Sequence, residues 1–167
     1  MKYSFEILEK RHSNAVMEIF NYYVENSFAA YPEKRVPPQF FDLLIEKLSN
    51  FPAYAIINHD GGVVGFCILK QYLPFSTFKE CAEISYFIHP SEVAKGAGKQ
   101  ALDLLEAKGS EMGVKQILAN ISSLNEQSLA FHSKNGFKEC GRFKNIITKN
   151  GVCFDIVWMQ KEINSKL

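Results

Sequence analysis

The sequence predicts an α+β fold, a mixed and mostly antiparallel central sheet flanked by helices, on three observations. Short β-type segments alternate with amphipathic helical ones. Glycine-bearing turns join neighbouring strand segments so tightly that those pairs must be antiparallel. One strand–helix–strand succession calls for a right-handed parallel crossover. A length of 167 residues suits one domain, since domains cluster near roughly 100–200 residues, so a single domain over residues 1–167 is expected.

Residues 4–9 alternate weakly and read as a first strand, after which Ser13 is placed to cap a helix with Val16, Ile19, Phe20, Tyr23 and Val24 on one stripe. Residues 27–38 hold three prolines and read as an ordered loop able to line a pocket. Phe40, Phe41, Leu44, Ile45 and Leu48 then mark a second amphipathic helix. Ala53–Asn58 and residues 63–72 flank His59-Asp60-Gly61-Gly62, whose glycines allow a tight hairpin. Cys81–Ile88 is a strand ended by His89-Pro90, because proline lacks the donor a ladder needs. A helix over residues 96–112 turns Leu102, Leu105 and Met112 to the core and stops at Gly113. Residues 114–121 form the strand parallel to Cys81–Ile88. A short helix over 125–134 stops at Gly136, and strands over 137–148 and 152–161 meet at Lys149-Asn150-Gly151.

Nineteen basic and eighteen acidic residues leave a formal charge of +1, so no overall field recruits nucleic acid or an anionic membrane, and any anion is bound locally. The apolar run at residues 63–69 falls short of the roughly 20 residues a membrane span needs. The start, Met1-Lys2-Tyr3-Ser4-Phe5-Glu6, has no apolar run of the secretory type, so a cytoplasmic location is expected. Cys67, Cys81, Cys140 and Cys153 lie far apart, without metal-ligand spacing; they are expected to be reduced and mostly buried, and no metal is expected.

The most informative segment is Val93-Ala94-Lys95-Gly96-Ala97-Gly98-Lys99-Gln100, where glycines and lysines open a long helix after a strand and loop. Free amides and the positive helix end converge there, and glycine admits a ligand close to the backbone, so a pyrophosphate fits. A Walker A loop fails because Gln100 follows Lys99. Gly96-x-Gly98-x-x-Ala101 loosely matches the dinucleotide fingerprint but stands seven residues beyond its strand. Taken alone, the segment reads equally as a glycine-softened helix start with solvated lysines. Two further groups attract notice. Glu83 sits mid-strand among apolar residues, and a buried carboxyl is shifted toward the range a general base needs; pairing with a lysine such as Lys79 is the equal alternative. Asn125, Ser128 and His132 share a helical stripe, although Asn125 can simply cap the helix, Ser123-x-x-Glu126 has the form of a capping box, and a helical histidine is often structural.

With these residues in view, the chain resembles the GNAT N-acetyltransferases, which move an acyl group from acyl-coenzyme A to an amine, over nearly its whole length. The family pattern Gln/Arg-x-x-Gly-x-Gly/Ala falls on residues 93–98, with Val93 departing from the usual polar first residue. Phe20-Asn21-Tyr22-Tyr23-Val24, Ala82-Glu83, Asn125-x-x-Ser128-x-x-x-His132, Asn135-Gly136-Phe137 and Phe154-Asp155-Ile156-Val157-Trp158-Met159-Gln160 resemble blocks of the phosphinothricin and methionine sulfoximine acetyltransferase branch. The resemblance implies acetyl-CoA as co-substrate, held by Lys95, Gly96, Ala97, Gly98, Lys99, Asn125 and Ser128, with backbone amides near Phe87 and Ile88 polarising the thioester. It implies Glu83 as general base and His132 as a second catalytic residue.

Phe87 stands where the branch carries tyrosine, and Tyr86 replaces that hydroxyl only through a bulge, so the proton donor to the thiolate stays open. Tyr31, Tyr72, Leu73 and Phe75 fall on the acceptor side, where leucine and phenylalanine replace the branch's arginines and imply a more hydrophobic acceptor. The function these features imply is acetyl transfer to a small primary amine by direct attack, without a covalent enzyme intermediate. A non-catalytic acyl-CoA sensor and a protein or peptide N-acetyltransferase are the alternatives, and a homodimer fits the branch.

Overall fold

The computed structural model describes residues 2–48 and 50–163. Its elements run β1 (Tyr3–Ile7), α1 (Ser13–Asn26), α2 (Gln39–Leu48), β2 (Ala53–Asn58), β3 (Val63–Gln71), β4 (Cys81–Ile88), α3 (Ala97–Glu111), β5 (Gln116–Ser122), α4 (Glu126–Lys134), β6 (Lys138–Lys149) and β7 (Val152–Glu162). The strands form a seven-stranded sheet in the order β1-β2-β3-β4-β5-β7-β6. Among the described residues only β4 and β5 pair in parallel, across the α3 crossover, and the other pairs are antiparallel. This is the α+β arrangement that the hairpin turns and the single crossover require. At the β2–β3 turn the Asn58 amide donates to the Gly62 carbonyl at 2.9 Å, and Gly61 takes a left-handed φ of 80°.

Strand alternation sends successive side chains to opposite faces. Ala55, Ile57, Phe66 and Ile68 pack under Val16, Met17, Phe41 and Leu48 of α1 and α2. Cys67, Leu69, Ala82, Ile84, Ile117, Ala119 and Val157 pack under Leu102 and Leu105 of α3 on the other face. Burying one such leucine contributes about 1.5–3 kcal/mol, so each face holds its helices mainly through apolar area.

Four local expectations are corrected. β1 begins at Tyr3 and ends at Ile7. Ser13 is not a cap: a 3-10 turn over Lys10–His12 runs directly into α1, and His12 occupies the cap position. Met112 is exposed, because it is the C-cap residue where the chain leaves α3 before β5. Cys67 is buried and Cys81 partly so, but Cys140 and Cys153 are exposed, since they lie in the β6–β7 hairpin at the sheet edge. All four thiols are free. Among the described residues no helix is long and apolar enough to cross a membrane.

Candidate active site

Parallel pairing between β4 and β5 covers only Cys81↔Gln116, Ala82↔Ile117 and Glu83↔Leu118. Both strands continue, β4 against β3 and β5 against β7, so beyond Glu83 and Leu118 they diverge. A fork of this kind turns backbone N–H and C=O groups toward a gap that an extended polar ligand can bridge. The gap opens into a cleft of about 570 Å³ lined by residues 84–88 of β4, residues 119–122 of β5, the glycine loop and α4.

The register of β4 decides which of its groups face this cleft. His89 donates its amide to the Val64 carbonyl at 2.7 Å, and the β3–β4 register runs unbroken from Gly65↔Ile88 to Gln71↔Ala82. Antiparallel residues of one parity turn both backbone groups to the same neighbour. Phe87 therefore spends its amide on β3, and the amides of Ile88 and Tyr86 face the cleft. This narrows the expected pair of polarising amides to Ile88, with Phe87 excluded.

With no bulge, Tyr86 and Phe87 stay on opposite faces. Phe87 packs against Phe66, Phe20 and Tyr23 at ring distances of 5.5, 5.1 and 5.4 Å. The hydroxyl beside it comes instead from α1: Tyr23 Oη donates to the Ile88 carbonyl at 2.5 Å. Tyr23 also lines the cleft. Helical spacing marks Tyr23 only as a stripe residue, and no local pattern links it to a strand residue 65 positions away.

Gly96 caps α3 with a φ of 100°, a left-handed value that side chains with a Cβ rarely adopt. Gln100 N–H bonds back to the Gly96 carbonyl at 3.1 Å, which leaves the amides of Ala97, Gly98 and Lys99 as the free first turn of the helix. Val93, Ala94, Gly96, Gly98 and Lys99 line the cleft. Ala97 buries its side chain in the core and offers only its amide. Lys95 turns to Glu92 at 3.4 Å, and Lys99 pairs with Asp103 one turn along. Donor amides, a positive helix end and a bare glycine edge fit a pyrophosphate.

On α4, Asn125 Oδ1 accepts from Ser128 N–H at 3.1 Å, which makes Asn125 the cap. The Ser123 hydroxyl instead accepts the Asp155 amide at 3.0 Å, so the alternative capping box does not form. Asn125, Ser128 and His132 all line the cleft. His132 is only 3% exposed. Its Nδ1 lies 2.7 Å from the Ser128 carbonyl and its Nε2 lies 2.6 Å from Tyr86 Oη. This network assigns the proton to Nδ1 and makes Nε2 the acceptor of the phenol. Burial pulls the imidazole pKa down and favours the neutral ring. Both nitrogens are thus engaged, and Tyr86 holds the ring on the α3–α4 face.

Glu83 shares the opposite, α1–α2 face with Ser85 and Phe87, so the two expected catalytic side chains are not brought together. The Glu83 side chain is 18% exposed, and Lys70 Nζ, directly across on β3, lies 3.2 Å from its Oε2. The lysine partner is Lys70, where the sequence suggested Lys79. Tyr31 Oη donates to Asn120 Oδ1 at 2.5 Å, and burial, followed by the Glu83 charge, pushes the Tyr31 pKa up to about 12. Tyr72 packs against Phe78 and Trp158 at 5.8 and 6.0 Å. Leu73 and Phe75 are 38% and 61% exposed on the turn after β3 and lie outside the cleft lining.

Two polar clasps hold the loop that carries Tyr31. Lys149, 1% exposed, donates to the carbonyls of Val24, Ser27 and Ala30, each at 2.7 Å. Asn21 accepts from the Val36 amide at 2.9 Å and donates to its carbonyl at 3.2 Å. Among the described residues no group of three or more His, Cys, Asp or Glu side chains is placed to hold a metal.

Comparison with known proteins matches residues 16–137 to the acetyltransferase (GNAT) family. Phosphinothricin N-acetyltransferase of Alcaligenes faecalis is 28% identical over 155 residues, 90% of this chain and 78% of that protein. L-amino acid N-acyltransferase MnaT of Escherichia coli (strain K12) is 26% identical over 166 residues, 98% of this chain and 95% of that protein. A crystal structure of ribosomal-protein-alanine N-acetyltransferase from Brucella melitensis superposes with a TM-score of 0.87 at 28% identity, covering 95% of this chain and 99% of that one. The overall architecture is therefore a shared one, and the chain belongs to the GNAT family of acetyltransferases.

Proposed function

We propose that the protein transfers the acetyl group of acetyl-CoA to the primary amine of a small molecule, with Glu83 as general base. One observation supports this: Glu83 is the last β4 residue paired with β5, and the lining of the cleft that runs from the glycine turn begins at the next residue, Ile84. Acetyl-CoA supplies an activated thioester when bound. The first-turn amides of α3 hold its diphosphate, with Asn125 and Ser128 along the cleft. The Ile88 amide polarises the thioester carbonyl, and Glu83 takes the proton that an ammonium must lose before it attacks. The Tyr23 hydroxyl protonates the leaving thiolate, and His132 acts as a positioning residue by fixing Tyr86 beneath β4. Attack is direct, within a ternary complex and without a covalent enzyme intermediate.

Glu83→Gln tests the assignment. General-base removal lowers kcat/KM by about 10²–10⁴-fold, with acetyl-CoA affinity by calorimetry unchanged; a variant that keeps the parent's kcat refutes it. Coenzyme binding by a parent protein that acetylates no acceptor supports the sensor reading instead. The second reading, an amino-terminal peptide acceptor, is favoured by the ribosomal-protein-alanine acetyltransferase structure; faster turnover of peptides than of free amines establishes it. The proposal also comprises one domain over residues 1–167, a cytoplasmic location, which the four free thiols suit, and a second copy bound at edge strand β6, where Phe143 and Ile146 are exposed. A monomeric mass by light scattering refutes the pairing.

A further inference from the structure

We propose that Lys70 is a specificity-determining residue that selects acceptors carrying a carboxylate on the carbon beside the amine, that is, free α-amino acids. The inference rests on the acetyl-transfer reading and names its substrate class. Lys70 and Glu83 are direct cross-strand partners on the α1–α2 face, with Nζ 3.2 Å from Oε2. The lysine is 41% exposed, and an ion pair this open adds little to fold stability. Its place at the fork is the informative feature. Glu83 pairs with Leu118, two residues before Asn120, whose side chain accepts from Tyr31, and Trp158, directly opposite Asn120 on β7, packs against Tyr72, two residues along the chain from Lys70.

A plain alkylamine that approaches Glu83 competes with Lys70 for one carboxylate and meets a like charge beside it. An α-amino acid has no such conflict. Its ammonium lies against Glu83 and its carboxylate against Lys70, a ring of alternating charges in which each protein group keeps a partner. Selectivity thus comes from attraction to the zwitterion and from repulsion of the bare amine. The aromatic rings beside the pair favour an apolar substrate side chain.

The test compares kcat/KM for L-methionine with 3-(methylthio)propylamine, and for L-phenylalanine with phenethylamine, in the parent, Lys70→Met and Lys70→Arg proteins. Loss of a charge-assisted hydrogen bond lowers kcat/KM for the amino acids by about 10- to 100-fold in Lys70→Met, mainly through KM. The amines hold steady or improve, and Lys70→Arg restores the preference. Because Lys70 also touches Glu83, the acid-to-amine ratio is the deciding quantity. The proposal is overturned if the parent shows no preference, or if Lys70→Met slows both classes equally. Failure of the acetyl-transfer reading looks different: acetyl-CoA binds and neither class is acetylated, which removes this inference with it.

Discussion

Replacing Lys149 with methionine keeps a long buried side chain and deletes the ammonium that serves the carbonyls of Val24, Ser27 and Ala30. Three carbonyls require three N–H donors, which only the charged form supplies, even though burial lowers the pKa of this lysine. Each carbonyl left without a donor costs about 1–3 kcal/mol, and the low end for all three gives about 3 kcal/mol. In a chain of this size each kcal/mol shifts the melting temperature by about 2–4 °C, so Lys149→Met should melt about 6–12 °C below the parent. The same loop carries Phe28 and Tyr31 into the site, so the acceptor KM should rise more than the acetyl-CoA Kd. Scanning calorimetry measures the first effect and steady-state kinetics the second. A melting temperature within about 2 °C of the parent would refute the idea that this ammonium holds the loop.

Other perturbations separate the roles of neighbouring groups. Gly98→Ala should leave the melting temperature equal or higher, because its Cβ meets Ile88 and Phe131 at ordinary distances of 3.4 and 3.6 Å, while a gain of about 0.5–1 kcal/mol comes from replacing a helical glycine. Its acetyl-CoA Kd should nevertheless rise about 10-fold, and calorimetry showing parent-like binding contradicts the cradle. Gly96→Ala should instead cost about 1–2 kcal/mol of stability through its left-handed backbone, seen as a lower melting temperature. Tyr23→Phe should lower kcat by at least about 10-fold with KM little changed, and a parent-like kcat removes Tyr23 from the chemistry. Burial holds His132 below its ordinary value of 6.5, so as pH falls below that value the unfolded chain takes up a proton that the folded one resists. Stability is then complete above about pH 6.5 and declines on the acid side by at most about 1.4 kcal/mol per pH unit; thermal melts of His132→Asn should show a shallower acid slope.

The local features of the chain are legible in its sequence. The β2–β3 hairpin follows from Gly61 and Gly62, the α3 start from Gly96, the Cys81–Ile88 strand from its composition and the proline beyond it, and the crossover from element order. Each depends on φ preferences or side-chain periodicity within a few residues, which a sequence displays directly. Even Glu83 was visible as a carboxylate in an apolar strand. Only the tertiary structure decided what these groups meet. The fork of β4 and β5 is a property of two strands and their outer neighbours. Tyr23 reaches Ile88 over 65 positions, His132 reaches Tyr86 over 46, and Lys149, to all appearance a turn lysine, reaches Val24 over 125. Likewise Lys70 meets Glu83 because one particular antiparallel register places them opposite, and a shift of one residue would send Lys70 to the other face. Contacts of this kind are fixed by packing of the whole sheet between its helices, for which no short stretch of residues carries the information.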